Sequence, residues 1–272
     1  MNYKQNLHTH STFCDGKNTP EETVLTAIEK GFGSIGFSIH SDPPPSSNTF
    51  HLRSADYKAE LARLKQAYKG VIDIYTGIEY DIYSGSALEG YDYAIGSVHY
   101  LKVGDEFKKM DLKLLEDVHE LINTCYNGDP LRFAKAYYEA VASIPEYGSF
   151  DIIGHFDLLT KHNEKGGFLD VTSREYLNYA FEAISALKGK IPLFEVNTGA
   201  LARGYRTTPY PQPEILAELK RNGFGAVISS DCHRKECLDV YFEESLQLLA
   251  NAGFTSRFIL TSDGFREIPL FG

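Results

Sequence analysis

Seven short apolar runs punctuate this chain, and most lead through a polar loop into an amphipathic helical stretch. The runs cover residues 5–10, 34–40, 72–79, 91–99, 151–155, 193–197 and 225–231. The first helix is marked by Thr19-Pro20-Glu21-Glu22, a capping box with proline at the first helical position, and by Gly31 at its end. A second helix is predicted over 54–68. A longer helical stretch follows the fourth run and breaks at Asn127-Gly128-Asp129-Pro130, where Asp129 caps the next helix and Pro130 starts it. Further helices are predicted over 173–188, 213–222 and 241–252. Strands that alternate with helices are joined by right-handed βαβ units into a parallel sheet. Seven units predict an α/β barrel or a near relative, with an open doubly wound sheet as the alternative.

The length of 272 residues suits one barrel domain, and the whole chain, 1–272, reads as a single domain. A formal net charge of −10 argues against a nucleic-acid backbone as partner, which requires clustered Lys and Arg. It leaves open a phosphorylated small molecule, because metal ions can supply the positive charge that side chains lack. The four cysteines, Cys14, Cys125, Cys232 and Cys237, form no CxxC pair. Together with the lack of an apolar leader and of any run long enough to span a bilayer, they fit a reduced cytoplasmic setting without membrane contact. Oligomeric state is not legible.

Acids and histidines fall at the ends of the predicted strands. The first ends His8-Thr9-His10, with Asp15 in the loop beyond. The others carry His40-Ser41-Asp42, Glu79-Tyr80-Asp81, His99, His155-Phe156-Asp157, Glu195-Val196-Asn197 and Asp231-Cys232-His233. Parallel strands of a barrel end at one face, so groups between residues 8 and 233 converge there. Residues two apart on a strand point the same way, which aims His8 with His10, and Asp231 with His233, at one centre. A lone His-x-His or Asp-x-His is often structural. Imidazoles at five strand ends, mixed with carboxylates, are not explained by packing, because each unpartnered buried polar group costs roughly 1–3 kcal/mol. A metal cluster satisfies many of them together, and this donor set suits zinc, manganese or iron.

Other residues read as bland. His119 lies on a helical run and is expected at the surface, while His51 and His162 lie in loops. Cys232, between two candidate ligands, is expected to point away into packing. Cys14 sits beside Asp15.

The set His8-Thr9-His10 with Asp15-Gly16, His40-Ser41-Asp42, Gly77-Ile78-Glu79, Gly96-Ser97-Val98-His99, Gly154-His155-Phe156-Asp157, Glu195-Val196-Asn197 and Ser230-Asp231-Cys232-His233 resembles the polymerase-and-histidinol-phosphatase (PHP) family, in the family's order and over nearly the whole chain. The resemblance implies a distorted, TIM-like (β/α)7 barrel with three divalent metal ions at the C-terminal ends of the strands. It implies that His8, His10, Glu79 and Asp231 hold one ion, that Glu79 bridges to a second held by His99 and His155, and that Asp15, His40 and His233 hold the third. Some members have His where this chain has Asp15, which bears on the third site's metal preference. Within the family, the chain length and the Asn197…Arg203…Tyr210-Pro211 segment are most similar to stand-alone histidinol-phosphate phosphatases of histidine biosynthesis.

These residues carry an expected chemistry. Two metals about 3.5–4 Å apart favour in-line attack on phosphorus by a bridging hydroxide. Arg203 is the candidate phosphate clamp, since its planar fork matches two phosphate oxygens. Asp42 is the candidate general acid and substrate contact, with His233 as the alternative proton carrier. Lys161 either contacts substrate or is solvated. The expected reaction is hydrolysis of L-histidinol phosphate to L-histidinol and phosphate. The alternatives are a nucleotide or phosphotyrosine substrate, or a metal-holding partner module without catalysis.

Overall fold

The computed structural model describes residues 3–44 and 53–271, and His51 lies outside them. In chain order the strands are β1 (Gln5–Asn6), β2 (Ser34–His40), β3 (Asp73–Asp81), β4 (Tyr93–Ser97), β5 (Tyr100–Val103), β6 (Glu106–Lys109), β7 (Ile152–Ile153), β8 (Leu193–Asn197), β9 (Gly225–Ser229), β10 (Ser256–Thr261) and β11 (Gly264–Pro269). Seven of them form one sheet in the order β1-β2-β3-β4-β7-β8-β9, and every pairing is parallel. Just beyond β1 and β9, Thr9 and Cys232 form a parallel bridge that joins the two edges. The His10 N–H donates to the Cys232 carbonyl at 2.8 Å, and the Cys232 N–H to the His8 carbonyl at 3.1 Å. The sheet therefore closes as a distorted, TIM-like seven-stranded barrel rather than an open doubly wound sheet.

Helices cover the outside. Pro20–Glu29 starts from the predicted capping box, in which the Glu22 N–H donates to Thr19 Oγ1 at 3.2 Å and the Thr19 N–H to Glu22 Oε2 at 2.8 Å. Asp129 caps Pro130–Ala142, and Ser173 caps Arg174–Leu187. A cap satisfies N–H groups that the helix itself leaves open, worth about 1 kcal/mol each time. The apolar faces of the helices pack on the outer face of the sheet in the main core, which takes in Val24, Tyr57, Leu61, Tyr137 and Ile184.

A second apolar cluster, Leu7, Tyr93, Ile95, Ile152, Leu193, Val227 and Leu260, plugs the barrel interior below the strand ends. Tyr93 crosses this space and donates its hydroxyl to the Leu7 carbonyl. Glycines at 36 and 77 make room for it, because a Cβ at either position would overlap the Tyr93 ring. Gly77 lies on the same strand face as Glu79. Gly77→Ala is therefore expected to cost about 1–3 kcal/mol by overpacking, measured as a lower urea midpoint at unchanged slope.

Two hairpins differ from the expected pattern. The stretch after β4 was expected to be helical from its start, but β5 and β6 intervene before the helix Leu115–Cys125. The cue was present: Tyr100-Leu101-Lys102-Val103 alternates in character, and Gly104 takes the left-handed turn position at φ 61°. β10 and β11, turned at Ser262-Asp263, were not expected either. The Gln5 side chain ties this hairpin to the start of β1, donating to the Leu260 carbonyl at 2.8 Å and accepting from its N–H at 2.7 Å. The hairpin thereby closes the end of the barrel opposite the histidines.

Candidate metal centre

Glu79, near the end of β3, is the hub of the strand-end face. It is 1% exposed. Its Oε2 faces His40 Nδ1 at 2.9 Å, His8 Nε2 at 3.3 Å and His10 Nε2 at 3.5 Å. Its Oε1 faces His155 Nε2 at 2.8 Å and His99 Nε2 at 3.2 Å. One carboxylate thus presents each oxygen to a separate set of imidazoles. Three groups of donor atoms result: His8, His10 and Glu79; Glu79, His99 and His155; and His10, Asp15, His40 and His233, with the atoms of each group within 4.8 Å of one another. The third group rests on Asp15 Oδ1, which lies 3.2 Å from His233 Nε2, 3.4 Å from His40 Nε2 and 4.0 Å from His10 Nδ1.

The donors fit divalent ions. His8 Nε2, His10 Nε2 and Glu79 Oε2 are buried and have no hydrogen-bond partner among the described residues, although they converge. Unpartnered polar atoms are costly in a low-dielectric interior, and a shared cation satisfies all three. The electrostatics agree. Burial disfavours the charged Glu79, but His8, His99 and His40 outweigh it and hold the carboxyl well below its usual range. Burial likewise disfavours a charged His8, yet Glu195, Glu79 and Asp231 push it well above the usual imidazole value. His10 goes the other way, down to about 3, because burial and then the neighbouring His40 and His233 both disfavour its charge.

Asp231 connects this cluster to Arg203. Its Oδ1 lies 3.2 Å from His10 Nε2 and 3.6 Å from His8 Nε2. Its Oδ2 accepts from Arg203 Nη2 at 2.8 Å, and its backbone carbonyl accepts from Nη1 at 3.0 Å. Arg203 Nη1 also lies 3.2 Å from His233 Nδ1. The guanidinium therefore sits at the cluster and grips a candidate ligand. Asp42 is in none of these donor groups, and its Oδ2 accepts from the Ser86 hydroxyl at 3.0 Å.

Several roles were not legible. Glu195 is a buried carboxylate behind His8, with its two oxygens 3.1 and 2.9 Å from His8 Nδ1. It also accepts from the His155 N–H at 2.7 Å, from Asn197 Nδ2 at 2.8 Å and from the Ser229 hydroxyl. An Nδ1–H held by Glu195 leaves the Nε2 lone pair of His8 turned toward Glu79 and Asp231, the arrangement that orients a metal-binding imidazole. Glu195→Ala is expected to lower metal affinity or activity about 10–100-fold, read by titrating metal into the stripped variant.

Asp157 belongs to no donor group. It is fully buried against Arg206, whose Nη1 lies 3.5 Å away, and accepts the Gln212 N–H at 3.0 Å. Arg206 in turn lies over the Tyr210 ring at 4.5 Å. The pair anchors the segment that carries Arg203. Lys161 is not solvated: it is 8% exposed and pairs with Asp111 Oδ1 at 2.7 Å. His162 is buried and its Nε2 meets the Leu112 carbonyl at 3.0 Å, while His119 is exposed as expected. Cys232 packs into the core, and Cys14 Sγ lies 3.4 Å from His10 Nδ1. All four cysteines are free. Among the described residues no helix is long and apolar enough to cross a membrane.

A parallel barrel whose C-terminal rim gathers imidazoles around a bridging carboxylate defines a class of metal-binding α/β barrels with the site at the strand ends. The particular family follows from residues 6–199, which match the PHP domain: the chain belongs to the PHP family. It is 27% identical over 271 residues to a Bacillus subtilis (strain 168) protein named histidinol-phosphatase, a match covering 90% of this chain and 98% of that one. Its fold resembles a solved Lactococcus lactis histidinol phosphate phosphatase complexed with zinc, L-histidinol and phosphate, with a TM-score of 0.72, 21% identity, and 98% of this chain and 100% of the other covered. A solved Listeria monocytogenes chain gives a TM-score of 0.75 at 23% identity, covering 89% of this chain and 99% of the other.

Proposed function

We propose that this chain is a metal-dependent phosphomonoesterase that hydrolyses L-histidinol phosphate to L-histidinol and phosphate, the whole chain acting as one cytoplasmic catalytic domain. The observation that carries the reading is Glu79, whose two oxygens face separate imidazole sets at 2.8–3.5 Å and so suit two adjacent cations. The B. subtilis relative, named for this activity and aligned over 90% of the chain, supports the choice of substrate.

Three ions are assigned. His8, His10, Glu79 and Asp231 would hold the first, Glu79, His99 and His155 the second, and Asp15, His40 and His233 the third, with His10 Nδ1 close to that last group. Zinc, manganese and iron all suit these donors. When bound, such ions supply Lewis-acid charge and make water nucleophilic near neutral pH. The chain's own residues do the rest. Arg203 keeps one edge on Asp231 and offers the remaining N–H groups of its fork to phosphate oxygens. Asp42, two residues beyond His40, returns a proton to the leaving alkoxide, with the Ser86 hydroxyl fixing its carboxyl group. Asp42→Asn is therefore expected to slow esters of poor leaving groups about 10²-fold and p-nitrophenyl phosphate much less. An equal loss on both would remove Asp42 from this role.

A panel of phosphate esters tests the substrate. The metal-loaded enzyme is expected to favour L-histidinol phosphate in kcat/KM over nucleoside monophosphates and phosphotyrosine. Equal values across the panel would refute the assignment, and an inactive but metal-loaded chain would point to a non-catalytic module.

A further inference from the structure

We propose that Asp111 binds the ammonium group of the substrate and sets the preference for an amino-alcohol phosphate, a role that rests on the phosphatase reading above. Asp111 lies just past the β5–β6 hairpin, which places it beside the metal centre. The residue before it is pinned to the site, because the Met110 N–H donates to the carbonyl of His99 at 2.8 Å. The residue after it is pinned from the other side, where the Leu112 carbonyl meets buried His162 Nε2 at 3.0 Å. Asp111 is thus clamped between a candidate metal ligand and the turn that carries Lys161.

Among the described residues its carboxylate is held at one oxygen only. Lys161 Nζ takes Oδ1 at 2.7 Å and itself rests over the Tyr205 ring at 4.6 Å. The lysine side chain is 10% exposed and the aspartate side chain 31%, so the acid is the partner that reaches solvent. A carboxylate accepts about four hydrogen bonds, and the outer oxygen Oδ2 is available to a cation that arrives from solvent. Burial opposes ionisation of Asp111, and the neighbouring Lys161 and His99 outweigh it and hold the carboxyl below its usual range.

Other carboxylates on this face have partners or roles of their own, and Asp42 accepts from the Ser86 hydroxyl at 3.0 Å and serves as the proposed general acid. Glu79, Asp15 and Asp231 face imidazoles. Asp81 takes the His99 N–H at 2.7 Å, Asp157 is buried with Arg206, and Glu195 is buried behind His8. The substrate's ammonium sits on the carbon next to the one that bears the phosphate ester. A phosphate held between the cations and Arg203 therefore carries its ammonium toward the rim, within reach of a carboxylate there. Lys161 holds that carboxylate ionised and fixes its orientation.

The test compares Asp111→Asn with the wild-type holoenzyme, using L-histidinol and inorganic phosphate as separate inhibitors and two substrates, L-histidinol phosphate and amine-free phenyl phosphate. The variant is expected to raise Ki for L-histidinol at least tenfold and leave Ki for phosphate within threefold. The ratio of kcat/KM for the two substrates should fall at least tenfold. The double variant Asp111→Asn with Lys161→Met removes both charges and should show the same fall, so a failure of the single variant to fold does not block the test. Equal rises in both Ki values, or an unchanged substrate ratio in the variants that fold, overturn the assignment. A wild-type enzyme with no preference between the two substrates overturns the choice of L-histidinol phosphate made under the proposed function, and is distinguished by needing no variant.

Discussion

Asp231→Asn is expected to lower kcat/KM for L-histidinol phosphate by about 10³-fold, the loss of roughly 4 kcal/mol of transition-state stabilisation. The substitution isolates charge from shape. Asp231 sits at φ 47°, in the left-handed region that most side chains avoid but Asn and Asp tolerate. Asparagine keeps that backbone and the carbonyl contact from Arg203 Nη1 at 3.0 Å. What it removes is the anion that lies 3.2 Å from His10 Nε2 and 2.8 Å from Arg203 Nη2. The carboxyl group is strongly acidic here: burial opposes ionisation, and Arg203 and His8 overcome it. Alanine would add strain at this φ and confuse the two causes. Metal content by elemental analysis, beside steady-state rates on the same preparation, checks the expectation. A variant with full metal content and near wild-type kcat/KM would remove Asp231 from the centre.

The strand-end donors were legible because two simple geometries place them. Alternation along a strand aims His8 and His10 together, and a parallel barrel brings distant strand ends to one face. Neither geometry reveals what lies behind a donor. Glu195 reads only as an acid within a strand, and its partner His8 is 187 residues away, so the contact needs the actual strand order. Asp111 was missed for a different reason. Its segment was expected to be helical, and a helix would not have carried residue 110 back to the His99 carbonyl. The guanidinium of Arg203 lies against Asp231, and a sequence cannot show that contact across 28 residues. The Asp157–Arg206 pair shows that position alone does not assign a role: a strand-end acid on the same face is buried against an arginine and belongs to no donor group.

Withdrawal of metal should abolish turnover and separate the stabilities of the loaded and stripped protein, by an amount that grows with pH. A site loaded at 1,000 times its Kd contributes about 4 kcal/mol to folding, and each kcal/mol moves Tm by about 2–4 °C for a chain near this size. In the stripped protein, protons take over part of the cations' task. Burial lowers the His99 value, but Glu79 and Asp81 outweigh it and bring it up to about 9. His8 and His40 are raised in the same way by their carboxylate neighbours. A group with a raised folded value stabilises fully below its unfolded value of about 6.5, and that contribution disappears as pH rises through the folded value. His10, down at about 3, is neutral in the folded state across this range, and its unfolded form loses its remaining charge just above about 6.5, so it offsets little of the change. The stripped protein is therefore expected to lose stability between about pH 6.5 and pH 9. The loaded protein should not follow, because its imidazoles must be neutral to bind metal, and a rising pH strengthens that binding. Thermal unfolding of both forms across this window measures the divergence. Parallel curves would show that the imidazole–carboxylate cluster is not where the metal is held.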